Sequence, residues 1–475
     1  MAPSRLTLFC SLVTSVLSVS FAHAQENIQT TLQRGSYLAA ASDCTACHAA
    51  PDRKNQFSGG TSIQTPIGAI IAPNITPSQK SGIGLYSEQD FSRALRNGIR
   101  RDGAPLYPAM PYPAFRNLND DDVHALYVYF MKGVEPVDNI VAPTKLPFPF
   151  NIRTLMNGWN FLYLGSGAPV ADPSKSADYN RGRYLVEGPA HCGTCHTPRD
   201  RFMGEQLSAS LSGTYLGSWH VPNITPDPVS GIGNWNVGEI VSYLKTGQAT
   251  GKASAAGGMA EVVQHNTSKL LDSDLHAIAV YLKAIPVVHN PADVTQRSGF
   301  TARNLPDVVD LEAPVERTAD NLRNSTTLDG AILYNGACAT CHGQTGQGTS
   351  DGTFPSLDHN STTGSRYPNN LIMVISDGIH RNAGGKDALM PAFTPNLSNE
   401  QIAAVANYVF KTFGNPATAT VTEAQVEKLR HDQLQMPLSV SFIRALLVIS
   451  MITVALFFAG IIILILRRRA PRITS

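Results

Sequence analysis

One five-residue pattern occurs three times in the chain: Cys44-Thr45-Ala46-Cys47-His48, Cys192-Gly193-Thr194-Cys195-His196 and Cys338-Ala339-Thr340-Cys341-His342. This C-x-x-C-H spacing is the attachment pattern of a c-type haem. Two thiols one helical turn apart add across the vinyl groups of the porphyrin, and the imidazole of the next residue lies under the iron as proximal ligand. Other uses of paired cysteines fit less well. Zinc would need two pairs close together, and these stand almost 150 residues apart. A dithiol redox site would need a βαβ setting, and none is visible. Disulfides within each pair leave the three histidines without a role.

At 475 residues the length suits about three domains. Net charge is +1, from 37 basic and 36 acidic residues, which gives no electrostatic footprint for nucleic acid. Residues 1–24 carry Arg5, an apolar run from Leu6 to Phe21 and the small-residue close Ala22-His23-Ala24, which reads as a cleavable export signal with Gln25 as the mature start. Cys10 leaves with it, so the three motifs use every remaining cysteine. At the other end, residues 445–466 are uncharged over 22 positions, enough to span the roughly 30 Å hydrocarbon core of a bilayer as a helix. Arg467, Arg468 and Arg469 follow, which predicts a cytoplasmic tail (467–475) and an exported body, periplasmic and anchored to the inner membrane.

The repeat is wider than the motif. Arg34-Gly35-Ser36-Tyr37-Leu38 precedes the first copy, Arg181-Gly182-Arg183-Tyr184-Leu185 the second, and a looser Asp329-Gly330-Ala331-Ile332-Leu333-Tyr334 the third. Asn74-Ile75-Thr76-Pro77 with Gly82-Ile83-Gly84 matches Asn223-Ile224-Thr225-Pro226 with Gly231-Ile232-Gly233, and the third copy lacks this loop. Each unit closes on a helical stripe: Leu126 with Phe130, Ile278 with Leu282, Val405 with Val409. The acidic run from Asp120 to Asp122, and the starts at Asp272 and Ser398, read as N-caps with acids in the first turn. A glycine on each opening helix would let an aromatic of the closing helix cross closely. The expected architecture is all-α: cytochrome c domains at 25–145, 178–287 and 326–416, linkers at 146–177 and 288–325, a juxtamembrane segment at 417–444, and the membrane helix.

The distal ligand separates carriers from catalysts, because histidine and methionine together leave no open site on the iron. Met110 lies in Tyr107-Pro108-Ala109-Met110-Pro111, 62 residues after His48; Met390 lies in Leu389-Met390-Pro391, 48 after His342. Met259, in Gly257-Gly258-Met259-Ala260, is 63 after His196 but lacks the following proline, and Met203, His220 and His265 are alternatives there. With three methionine ligands the chain carries electrons and has no catalytic residues. The apolar stretch 146–164 either packs along the first domain or meets a partner subunit or the membrane surface.

With these features assembled, the chain resembles the three-haem cytochrome c subunits of membrane-bound dehydrogenases of acetic acid bacteria and their relatives. Besides the motifs and the paired loops, Arg96-Asn97-Gly98-Ile99-Arg100-Arg101-Asp102-Gly103, residues 107–113 and residues 181–199 carry the likeness. Leu146-Pro147-Phe148-Pro149-Phe150 and the anchor look most like the fructose or gluconate type. The resemblance implies three covalent haems c on Cys44/Cys47, Cys192/Cys195 and Cys338/Cys341. It also implies axial pairs His48/Met110, His196/Met259 and His342/Met390. By the same likeness the partner is a flavin-bearing dehydrogenase subunit, with a quinoprotein as the alternative and a small third subunit beside it, and the acceptor is ubiquinone. A free-standing carrier to a terminal oxidase, and a haem enzyme with one open distal site, are the competing readings.

Overall fold

The computed structural model describes residues 28–303, 327–431 and 438–469. The expected export signal lies outside them, as do residues 304–325 of the second linker, residue 326 at the start of the third domain, 432–437 of the juxtamembrane segment and 470–475 of the tail.

Buried side chains gather into three large clusters, one for each stretch of chain around a C-x-x-C-H motif. Each is built from a crossed helix pair. The helix at 28–41 crosses Asp120–Val128, which runs on as a π-turn over Tyr129–Gly133; Ala177–Glu187 crosses Asp272–Ala284; Gly330–Ala337 crosses Asn399–Thr412. The crossings are tight for the reason anticipated in the sequence. A Cβ on Gly35 would sit 2.1 Å from the Ala125 carbonyl oxygen and 2.5 Å from the Tyr129 Cβ. Gly182 stands likewise against Ala277 and Tyr281, and Gly330 against Ala404 and Tyr408. Leu126, Phe130, Ile278, Leu282, Val405 and Val409 are all buried.

A further helix braces each pair: Glu88–Asn97, Val237–Thr246 and Asn369–Asp377. The first two open on capping boxes, Ser87 with Asp90 and Asn236 with Glu239, and end on Gly98 and Gly247 in the left-handed conformation. Ser398 caps the third closing helix as expected, but in the first unit Asn119, not the acidic run, accepts the Asp122 N–H.

The helical expectation needs one correction. The described residues also hold four two-stranded antiparallel sheets, of which Ile379–Ala383 with Lys386–Met390 is the longest. Its turn is Gly384-Gly385, both at positive φ, the backbone that a two-residue hairpin demands.

The first reading of the 146–164 stretch, packing along the first domain, describes its opening residues. Leu146 and Phe150 are buried against Tyr107, whose hydroxyl donates to the Phe150 carbonyl at 2.7 Å. Helix Leu155–Tyr163 then straddles the first two units. Asn160 accepts from the Tyr112 hydroxyl at 2.6 Å and Trp159 donates to the Phe202 carbonyl at 3.0 Å, while Phe161 and Leu162 stay exposed. Helix Leu438–Arg469 contains a 20-residue stretch, Arg444–Ile463, long and apolar enough to cross a membrane, and none of it is buried in the protein.

Candidate functional site

The three motifs fold into short helices, Cys44–His48, Cys192–His196 and Ala339–His342. In the first two, the residue before the motif, Asp43 or His191, takes a left-handed conformation (φ 51° and 37°) that turns the chain from the opening helix into the attachment helix. No cysteine pair is joined as a disulfide.

Each histidine is held the same way. Its Nδ1 lies 2.8 Å from the Pro73 carbonyl oxygen for His48, 2.8 Å from that of Pro222 for His196, and 2.9 Å from that of Pro355 for His342. The carbonyl can only accept, so Nδ1 carries the proton and Nε2 keeps its lone pair. Burial lowers the pKa of all three imidazoles against the smaller opposing effect of the prolyl carbonyl, which keeps them neutral. Neutral imidazole with a fixed tautomer is what an iron ligand requires.

The paired loops explain how the first two prolines are positioned. Asn74, next to Pro73, accepts from the Thr76 N–H at 2.9 Å and donates to the Val137 carbonyl at 2.7 Å. Asn223, next to Pro222, repeats both contacts with Thr225 and Val288 at 2.8 and 2.7 Å. The third unit reaches the same end by another route, through Phe354-Pro355. These prolines were not anticipated from the sequence, although the repeated Pro-Asn-Ile-Thr carried the signal.

The expected methionines lie in the same clusters as their motifs. Met110 and Cys44 pack on the first, Met259 and Cys192 on the second, and Met390 and Cys338 on the third. In the third unit Cys338, Cys341, His342 and Met390 line one cleft together with Pro391 and Phe393. The alternatives for the second unit are placed differently. Met203 belongs to the small cluster around Tyr107, and His220 stacks on Tyr367 of the third unit at 4.2 Å within the field of His196. His265 ends the helix that carries Met259. Paired thiols, a neutral histidine and a thioether in one apolar cluster are the donors a covalent haem takes, so the residues fit that group.

Residues 325–409 match the family described as cytochrome C oxidase, cbb3-type, subunit III. The fold and the sites therefore define a c-type cytochrome. The chain is 45% identical to the fructose dehydrogenase cytochrome subunit of Gluconobacter japonicus, over 86% of its own length and 84% of the relative's. It is 37% identical to the cytochrome c subunit of the quinone alcohol dehydrogenase of Gluconobacter oxydans, over 87% and 86%. Against the gluconate 2-dehydrogenase cytochrome c subunit of Pantoea cypripedii it is 35% identical, over 85% and 90%. The chain belongs to this family of dehydrogenase cytochrome c subunits, and its role is that of a non-catalytic electron-transfer subunit.

Proposed function

We propose that the chain is the tri-haem subunit of a membrane-bound, periplasmic sugar or sugar-acid dehydrogenase, relaying electrons from a flavin-bearing catalytic subunit to ubiquinone. Three tandem cytochrome c units, 25–145, 178–287 and 326–416, would each bind a haem c. Cys44 and Cys47, Cys192 and Cys195, and Cys338 and Cys341 would hold the porphyrins covalently, and His48, His196 and His342 with Met110, Met259 and Met390 would ligate the irons. The observation that carries this reading is the threefold recurrence of a histidine fixed through Nδ1 by a prolyl carbonyl beside a C-x-x-C pair and a clustered methionine. When bound, a haem with histidine and methionine ligands supplies one-electron carriage at raised potential, with no open position for substrate.

The chain's own part is to orient and shield. The crossed helices exclude water, and the prolyl carbonyls keep each imidazole in one tautomer. The Arg467–Arg469 cluster supports a cytoplasmic tail with the three units on the periplasmic side. The 45% identity to a fructose dehydrogenase subunit favours a sugar-oxidising partner; that this partner bears flavin and is joined by a small third subunit is part of the proposal. The 37% identity to an alcohol dehydrogenase subunit supports a quinoprotein as the second reading.

The test is purification from gently solubilised membranes, followed by reduced-minus-oxidised spectra after adding gluconate, 2-ketogluconate, fructose, sorbitol or ethanol. Reduction by a sugar substrate, with a co-eluting flavoprotein, is the expected result. Reduction by ethanol alone selects the quinoprotein reading. A chain that elutes alone and stays oxidised contradicts both and favours a free carrier.

A further inference from the structure

The seam between the second and third units contains a buried cation with no counter-ion among the described residues. Arg381 stands opposite Ala388 in the Ile379–Ala383 hairpin and is only 1% exposed. The guanidinium reaches out of its own unit into the second: Nε donates to the Thr246 carbonyl at 3.1 Å and Nη1 to the Ala255 carbonyl. Gly247 makes room for it, since a Cβ there would lie 2.3 Å from Nε. The remaining nitrogen, Nη2, is buried and has no hydrogen-bond partner. No carboxylate pairs with Arg381 among the described residues, and the one titratable group whose field acts on it is Tyr243. An uncompensated buried charge costs several kcal/mol, so a fold that builds one normally supplies it with an anion.

A second cation converges on the same place. Arg297, in the segment after the second closing helix, is half-buried, with Nη2 donating to the Ser230 carbonyl at 3.0 Å and to that of Asn223 at 3.4 Å. It too forms no ion pair among the described residues, with Asp293 acting on it only at a distance. Burial pushes the Tyr243 phenol up to about 12, and both guanidinium groups pull it back. Arg297 also acts on His196, while Ala383, two residues along the strand from Arg381, packs beside Met259 in a small cluster with Tyr243. The two cations thus lie beside the histidine and the methionine assigned to the second haem. A haem c brings two propionate carboxylates, and the planar fork of arginine is suited to that group.

We infer that Arg381 and Arg297 bind the propionate carboxylates of the haem attached at Cys192 and Cys195, so that the third unit lends a buried cation to the cofactor of the second. The inference rests on the haem assignment proposed above. Removing a positive charge beside a haem favours the ferric state and lowers the midpoint potential.

The experiment is spectroelectrochemical titration of the full-length, haem-loaded protein in detergent, with haem counted per chain. Arg381→Met is expected to keep three haems and to lower the potential of one of them. That haem is identified as the one whose potential and spectrum also change in Met259→His. Arg381→Lys restores most of the shift. If Arg381→Met fails to accumulate, Arg297→Gln, at a half-buried position, is expected to lower the same potential. Three haems with unchanged potentials in both variants overturn the inference, as does a shift confined to the haem marked by Met390→His. A wild-type chain with fewer than three haems overturns the haem assignment instead.

Discussion

The Tyr37 hydroxyl donates to Asp274, across 237 positions of sequence, and the same carboxylate takes two hydrogen bonds from Arg181 at 2.8 and 2.7 Å. The reciprocal contact is present: Tyr184 donates to Asp122, which also takes the Arg34 Nε at 2.6 Å. The Arg-Gly-x-Tyr repeat is thus a two-fold clasp. Each arginine ties the acid of its own closing helix, and each tyrosine reaches the acid of the other unit. A hydrogen bond to a charged, buried carboxylate is worth about 1.5–3 kcal/mol. Tyr37→Phe and Tyr184→Phe are each expected to lower unfolding stability by about that amount, read from denaturant midpoints, and the double variant to depart from the sum, because Arg181 pairs with Asp274 and also lies over the Tyr184 ring.

The tight crossings make a second test. Gly35→Ala and Gly182→Ala drive a methyl group into the Ala125 and Ala277 carbonyls, at 2.1 and 2.0 Å. Overpacking of this kind costs about 1–3 kcal/mol or more, and haem-loaded protein should fall sharply. Gly158→Ala, in an exposed helix with nothing within 4 Å, should leave loading unchanged and raise stability by about 0.5–1 kcal/mol.

His220 makes the seam between the second and third units sensitive to acid. Burial, helped by Arg297 and His196, lowers its pKa from 6.5 to about 3. The folded protein therefore prefers the neutral ring. Its contribution is complete above pH 6.5 and is lost as pH falls toward about 3, because the unfolded chain takes up the proton first. The loss is at most about 1.4 kcal/mol per pH unit. Denaturant midpoints measured across that window should fall in the wild type and fall less in His220→Phe, which keeps the stack on Tyr367.

Met390→Ala removes the proposed distal ligand of the third haem. It should convert one haem in three to a high-spin form that binds carbon monoxide readily, and slow quinone reduction more than haem reduction. An unchanged spectrum and rate would remove Met390 from the ligand set.

Local features were legible in the sequence because local chemistry imposes them. Opening glycines, apolar stripes and the Ser398 cap follow from helix periodicity and capping. What was not legible depends on pairing between distant segments. The Arg-Gly-x-Tyr repeat was visible, but nothing local says that its tyrosine serves the neighbouring unit. The third unit, with Asp329 and Ile332 at those positions, does without the clasp, and its Tyr334 donates to its own Gly343 carbonyl at 2.7 Å. The Gly384-Gly385 hairpin leaves no mark on helix periodicity, because it is set by the positive φ of the two glycines. Pro73, Pro222 and Pro355 act through backbone carbonyls, which side-chain pattern does not mark. In the apolar stretch at 146–164 hydrophobicity alone does not say which side chains are covered: Leu146 and Phe150 are buried on the first unit, whereas Phe161 and Leu162 are exposed.

The most direct test of the central claim is the intact mass of the mature chain, with the same measurement on Cys44→Ser/Cys47→Ser, Cys192→Ser/Cys195→Ser and Cys338→Ser/Cys341→Ser. The expected result is the polypeptide plus three covalently bound haems, with one haem lost in each double variant. A wild-type mass with two haems or fewer, or a double variant that keeps all three, would contradict it.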